Sequence, residues 1–560
     1  MARQLMDACK PICSFGLALV ICLTAGEYAA AQSGTTAPKQ APPPTTPGQQ
    51  SKTPKAEEHI TPQQAQQLFS LVDQLIKFSS EETGLPIKSD VKRKLTTREA
   101  VESYLAEKFN EDEDAKRMQR SEIVLKKFGL LDRDFDLKPF LLSLLKEQIE
   151  AYYDPKTKTV NMLDWVSVEE QKPVLAHELT HALQDQRVDL EEWSDQTPED
   201  VSTNSADDTV HLAKDELDTA REAVTEGQAT AVMMDNILKP MGHSLLKNPE
   251  VVDIIKQQMA TTGDSPVLAR APLLLSESLM FPYREGLSFE QDVWMDQGQH
   301  AAFAGTLDRP PTSSWEIINP REYEKGHLPT VLLLPDIHPL VDKEYKPYDI
   351  GQVGQLDVHI LTGIFGGDAA ARDLTSAWDG GIYWAGQRRD ASAADQASTK
   401  SIGLFYLSAW KNSAAAEQFA MLYEAELGRK YSGVTEISSA PGGSSGEQVY
   451  STDEGPVVIT RHGPMVFVSE SFNLDLARKL TTLILDAQGS GELRLAGAAQ
   501  RDLRKVPQLQ RVSLQRPQRS GMNTELPHAP DAALTDSLVH FLSNCGVMKG
   551  AVDAAFQTIR

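Results

Sequence analysis

The chain has 560 residues, of which 41% are hydrophobic and 24% charged, the proportions of an ordinary soluble globular protein. They exclude wholesale disorder, collagen-like repetition and a polytopic membrane protein, and the length allows about two to four domains. Lys and Arg number 55 against 79 Asp and Glu, and the net charge of −24 repels phosphate backbones, which argues against a nucleic-acid partner.

In chain order, Arg3 and Lys10 precede an apolar run, Ile12–Leu23, that is shorter than the about 20 residues of a membrane span. Ala29-Ala30-Ala31 then offers the small residues that a signal peptidase reads, so residues 1–31 are expected to be a signal peptide cleaved near Ala31. The expectation is an exported protein, periplasmic or extracellular, with no stable membrane anchor after cleavage. Cys9, Cys13 and Cys22 leave with that segment, and Cys545 alone cannot form an internal disulfide. Residues 32–58, rich in Pro, Gln and Thr, read as a disordered linker.

Thr61-Pro62 supplies a cap and a first-turn proline for a helix with Leu68, Leu71, Val72, Leu75 and Ile76 on one face. Further helical patterns occupy 97–109, 113–128 and 137–149. No dibasic site marks the end of this stretch, so 59–148 reads as part of the same folded unit as residues 149–345 rather than a removable prosegment. The period then changes to two short strands, 149–153 and 159–163, around the turn residues Asp154-Pro155-Lys156-Thr157. A helix over 168–186 comes next. From Asp185 to Glu226 there are 14 acidic and 3 basic residues, which predicts a solvated, partly disordered acidic excursion over 186–220.

Helical patterns return at 220–240, 244–260 and 289–304. Strands at 381–387 and 402–409, a helix at 414–430, strands at 447–452, 456–461 and 464–470, and a helix at 473–487 complete the pattern. The predicted fold class is α+β. A mainly helical domain with a short β-hairpin, 59–345, precedes a smaller α+β module with an antiparallel sheet, 346–490, and a polar, partly disordered tail, 491–560. Ligand binding and packing against the helical domain are both open roles for the module, and packing is the expected one.

Chemistry concentrates in His177-Glu178-Leu179-Thr180-His181. Residues four apart on a helix share a face, so His177 and His181 can direct their imidazoles at one ion. Val174, Leu175, Leu179 and Leu183 give that helix an apolar body that would bury it. Two imidazoles suit Zn²⁺, which as a catalytic ion takes three protein ligands and a water. Glu178, one step round the helix, is placed to act on such a water as general base. Glu222 and Glu226, again four apart on a probable helix, are candidates for the third ligand. Glu226 is favoured because Gly227 and Ala229 permit close helix packing, which leaves Glu222 and Asp185 as candidates to orient an imidazole.

These residues resemble the zincin metallopeptidases, specifically the gluzincins. Glu226-Gly227-Gln228-Ala229 is similar to the Glu-Gly-x-Ala that comes after the histidine pair in aminopeptidase-type members, where the Glu is the third ligand. Over about residues 149–232 the chain also resembles a group of secreted bacterial proteins with this motif. The resemblance implies a zincin-like catalytic domain holding one Zn²⁺ on His177, His181 and Glu226. It implies a peptide or protein substrate, with strand Thr159–Leu163 binding extended peptide along its edge. Thr230 departs from the thermolysin-like pattern, which has Asp four residues after the ligand Glu. A donor to the oxyanion is also required, and the sequence does not choose among Tyr283, His300, His327 and His462. Two other functions fit the same motif: an inactive zincin-like scaffold that binds a partner, and a metal-dependent hydrolase of non-protein amides such as cell-wall cross-links.

Overall fold

Two packed helices frame the first half of the chain. In the computed structural model, which describes residues 17–19, 59–108, 112–198, 201, 203–245, 248–259, 265–437 and 446–489, Thr61 caps helix Pro62–Thr83. Its hydroxyl accepts from the Gln64 N–H, and the Gln64 side chain accepts from the Thr61 N–H. Leu68, Val72, Leu75 and Ile76 are buried on one face, and the helix packs along Val168–Val188, the helix that carries the histidine motif. Ser79 Oγ donates to the Ala176 carbonyl at 3.1 Å, one residue before His177. The linker at 32–58, the tail at 491–560 and all of the expected signal peptide except Leu17–Leu19 lie outside the described residues. Among the described residues no helix is long and apolar enough to cross a membrane.

The first sheet has four strands, β1 (Leu17–Leu19), β2 (Lys92–Thr96), β3 (Ile149–Asp154) and β4 (Thr159–Leu163), in the order β1-β3-β4-β2. β3 and β4 form the predicted hairpin, with Ala151 opposite Met162 and Asp154 opposite Thr159. β4 also pairs in parallel with β2, Lys92 opposite Thr159. Thr159–Leu163 is therefore an interior strand, and the expectation that it offers a peptide-binding edge is corrected. The cause is β2, whose Lys-Arg-Lys-Leu-Thr sequence has almost no apolar signal yet alternates outward and inward along the sheet. The outer side of β3 faces β1, with Leu17 opposite Tyr152.

Most of the described residues of the acidic stretch are helical, which corrects the expectation of a partly disordered excursion. Leu190–Ser194, Ser205–Lys214 and Leu217–Leu238 are helices, and Asn204 caps the second by accepting from the Ala206 and Asp207 N–H groups. Its charges find partners in the second half of the chain. Asp208 Oδ2 lies 3.1 Å from His338 Nε2, and Asp342 Oδ1 lies 3.1 Å from His338 Nδ1. The Gln352 N–H donates to Asp215 Oδ2 at 2.6 Å. Burial alone would lower the His338 imidazole, but Asp342 and Asp208 together raise it above its ordinary value. The stabilisation is fully present below the unfolded value of about 6.5 and is lost as pH rises through the higher folded value. The melting temperature of the wild type is expected to lose this contribution above that range, and His338→Gln to flatten the dependence. Superimposable pH profiles for the two proteins would contradict the clamp.

The second sheet is antiparallel throughout. It contains β5 (Tyr345–Gln352), β6 (Trp378–Arg388), β7 (Ile402–Trp410), β8 (Thr435–Glu436), β9 (Glu447–Thr452), β10 (Gly455–His462) and β11 (Met465–Glu470), in the order β5-β6-β7-β11-β10-β9-β8. Both faces are covered. Tyr383, Ala385, Leu404 and Tyr406 pack with Phe419 and Tyr423 of helix Ser413–Lys430 and with Leu361 of helix Gln355–Ala377. The alternate residues Ile382, Trp384, Phe405 and Leu407 pack with Leu476, Leu480 and Ile484 of helix Leu474–Ala487. Leu175 and Leu179 of the motif helix belong to the first of these clusters, so one continuous apolar core runs from the motif into the sheet. The fold is α+β.

Charge also joins the two halves. Lys127, fully buried at the end of helix Asp112–Phe128, donates to Glu454 Oε2 at 2.9 Å and Ser471 Oγ at 2.6 Å. Beside it, buried Lys430 pairs with buried Glu470, whose carboxylate also accepts from the Tyr423 and Tyr431 hydroxyls.

Candidate metal centre

Helix Val168–Val188 starts on a reciprocal cap in which Ser167 accepts from the Glu170 N–H and Glu170 accepts from the Ser167 N–H. Val174, Leu175, Leu179 and Leu183 are buried, at about 1.5–3 kcal/mol of stabilisation for each such side chain. That apolar body holds the polar motif inside the protein. His177 and His181 share a face, with ring centroids 4.7 Å apart. The neighbouring helix Leu217–Leu238 delivers Glu226 to both of them.

Nε2 of His177 lies 3.0 Å from Glu226 Oε2, Nε2 of His181 lies 3.5 Å from Glu226 Oε1, and the two Nε2 atoms are 3.0 Å apart. His177 and His181 are 1% exposed and Glu226 4%. Atoms bonded to zinc at about 2.0–2.1 Å and at tetrahedral angles would lie about 3.3 Å from one another, inside the range found here. Two imidazole nitrogens and a carboxylate thus converge in a dry interior, a donor set that suits a divalent cation. Without a metal, the three groups hold one another as an ion-paired cluster. Burial pushes the Glu226 carboxyl up, but the His181 charge and the hydrogen bonds from both imidazoles outweigh it and hold the group low. Burial pushes both imidazoles down, and the Glu226 charge reverses this for His181 but not for His177. His177, His181 and Glu226 form a group that could hold a metal ion, its ligand atoms all within 4.8 Å of one another.

Glu178 is fully buried and stands beside the trio without belonging to it. The Tyr153 N–H of β3 donates to its Oε2 at 2.7 Å, which fixes the carboxylate. Tyr283 is the one candidate oxyanion donor that the structure brings alongside. Its ring stacks at 23° to that of His177 with centroids 6.3 Å apart, whereas His300, His327 and His462 are exposed.

Of the two imidazoles, only that of His181 has a hydrogen-bond partner on Nδ1 among the described residues, and that partner is neither of the expected residues. Glu222 is half-buried and outside the trio. Asp185 accepts from the Tyr153 hydroxyl at 2.7 Å, from Lys158 Nζ at 2.9 Å and from the Leu190 N–H at 3.0 Å. It thus ties the end of the motif helix to the hairpin. Thr230 is buried, and its hydroxyl has no hydrogen-bond partner among the described residues. Gln184 instead faces His181 Nδ1, with Oε1 at 2.9 Å. Sequence reasoning missed it, although its spacing of three from His181 puts the two side chains on one helix face.

Gly227 allows close packing, but against a third helix. A Cβ on Gly227 would lie 2.3 Å from the Gly286 carbonyl carbon, and one on Gly286 would lie 2.1 Å from the Ala223 oxygen. Helix Leu273–Gln297 thereby braces the helix that bears Glu226. Gly286→Ala is expected to cost at least about 1–3 kcal/mol through overpacking of two backbones. Gly428→Ala, with nothing within 4 Å of its new Cβ, should stabilise helix Ser413–Lys430 by about 0.5–1 kcal/mol. Urea unfolding of both variants checks the contrast, and equal midpoints would contradict the brace. Comparison with protein-family models, with curated proteins and with solved structures finds no match to this chain.

Proposed function

We propose that this chain is a zinc-dependent hydrolase of peptide bonds, of the gluzincin type. The observation that carries the reading is the buried convergence of His177, His181 and Glu226 with Glu178 beside them and outside the ligand group. Bound there, zinc supplies a water that is acidic near neutral pH and polarises a carbonyl oxygen. Glu178 accepts the proton of the attacking water and returns it to the leaving amine. The Tyr153 N–H keeps the Glu178 carboxylate in one orientation through that exchange. Tyr283, whose ring stacks beside His177, is the candidate donor to the developing oxyanion. β3, rather than the interior β4, is the strand that would pair with extended peptide. Its outer side is taken by Leu17–Leu19, which lies within the expected signal peptide.

A second reading is favoured by the burial of the site, where His177, Glu178 and His181 are at most 1% exposed. A metal closed off in this way suits a zinc-holding scaffold. One experiment separates the two. The purified mature protein is assayed for zinc, then incubated with a mixed peptide library, and the products are identified by mass. About one zinc per chain, with cleavage that a chelator stops and zinc restores, is the expected result. Bound zinc without cleavage selects the scaffold, and release of fragments from cell-wall material alone selects the non-protein amides.

A further inference from the structure

Behind the three metal-binding side chains runs a chain of buried amides whose direction is fixed at its far end. Gln228, on the helix that bears Glu226, directs Nε2 to the Ala302 carbonyl at 3.1 Å, the Phe303 carbonyl at 3.0 Å and Thr306 Oγ1 at 2.8 Å. Ala302 and Phe303 belong to a single π-helical turn, Ala301–Gly305. Such turns shift backbone bonding from i+4 to i+5 and recur at functional sites. Carbonyl oxygens only accept, and the Thr306 hydroxyl spends its own hydrogen on the Ala302 carbonyl. All three groups therefore call for the NH₂ end of the Gln228 amide.

Gln228 Oε1 must then point the opposite way, where it accepts from Gln184 Nε2 at 2.9 Å. The Gln184 NH₂ group also donates to the Thr225 carbonyl at 3.0 Å, so its polarity is set twice. Gln184 Oε1 is left to face His181 Nδ1 at 2.9 Å, and an amide oxygen can only accept. Nδ1 is thus the donor, and Nε2 is turned toward Glu226 and His177. Gln184, Gln228 and Thr306 are fully buried, so water does not replace a lost link, and each break leaves an unsatisfied group. His177 has no comparable support, since its Nδ1 is buried with no hydrogen-bond partner among the described residues.

We propose that Gln184 and Gln228 are positioning residues that transmit the carbonyl polarity of the Ala301–Gly305 turn to His181. They hold its ring and keep the proton on Nδ1, so that Nε2 serves as the metal ligand. The inference rests on the reading of His177, His181 and Glu226 as a metal site. It makes the two histidines unequal, with one anchored through three elements of the fold and the other held by packing.

The test uses zinc-loaded protein with ¹⁵N-labelled histidine, together with competition for zinc by a chromophoric chelator. Gln228→Glu keeps the size of the side chain but removes the NH₂ group, and residue 228 is not one of the ligands. The expected result is a zinc affinity lower by about 10–100-fold. The His181 Nδ1–H resonance should move and exchange faster with solvent, while the His177 resonance stays in place. Gln184→Met, read in the same way, serves if Gln228→Glu does not fold. A folded variant with wild-type affinity and an unmoved His181 resonance overturns the relay and leaves the metal site standing. Wild-type protein that takes up no more zinc than His181→Ala overturns the metal site itself, and the relay with it.

Discussion

Glu178→Gln is expected to retain wild-type zinc uptake while hydrolysis falls by about 10²–10⁴-fold or more, the usual contribution of a general base. The separation has its origin in the geometry. Glu178 is not among the three convergent residues that could hold a metal ion, so removing its charge leaves that group intact. A glutamine oxygen still accepts from the Tyr153 N–H, so the anchor to β3 survives and the motif helix keeps its seat. Only the ability to take up a proton is lost. The measurement is a pair of numbers on one preparation, zinc per chain and rate of peptide cleavage. Loss of both together would make Glu178 structural, and unchanged turnover would remove it from the reaction.

The largest stability effect is expected at the junction of the two halves. Glu470 is fully buried and accepts from Lys430, Tyr423 and Tyr431. Burial and the neighbouring Lys127 charge push the Lys430 ammonium down, while Glu470 holds it up. Glu470→Ala strands that cation and two phenol hydroxyls in a dry interior, at about 3–5 kcal/mol. Lys430→Met combined with Glu470→Leu removes both charges at similar volume and should cost less than the single change, because no ion is left unpaired. Urea unfolding of the zinc-free chain compares them. A double variant less stable than Glu470→Ala would mean that the pair itself, rather than the stranded charge, dominates.

Much of this architecture was legible where one signal acted locally. Thr61-Pro62 and the apolar face from Leu68 to Ile76 gave the first helix, found at Pro62–Thr83. The strands at 447–452, 456–461 and 464–470 fall within a residue or so of their observed bounds because tight turns separate them. β5 was not legible, because Pro347 and a bulge between Pro347 and Asp349 interrupt its alternation. Helix Gln355–Ala377 was hidden by a break at Gly367, whose φ of 72° lies in the left-handed region. The acidic helices were misread for a different reason. Their carboxylates meet His338 and the Gln352 N–H more than a hundred residues later, and no local pattern carries such a partner.

The site divides in the same way. His177 and His181 are dictated by helical spacing, and the choice of Glu226 over Glu222 agrees with the trio that converges. Their surroundings depended on tertiary contacts. Gln228 meets a π turn more than seventy residues downstream, and β4 lost its expected edge to a strand of Lys and Arg. Polar residues that act inside a protein carry no hydrophobic period to announce them.

The most direct measurement is a crystal of the mature protein grown with zinc, with diffraction recorded on both sides of the zinc absorption edge. The expected result is a single anomalous peak at about 2.0–2.1 Å from Nε2 of His177, Nε2 of His181 and a carboxylate oxygen of Glu226. No peak there, or an ion held by other residues while these three remain paired with one another, would contradict the account.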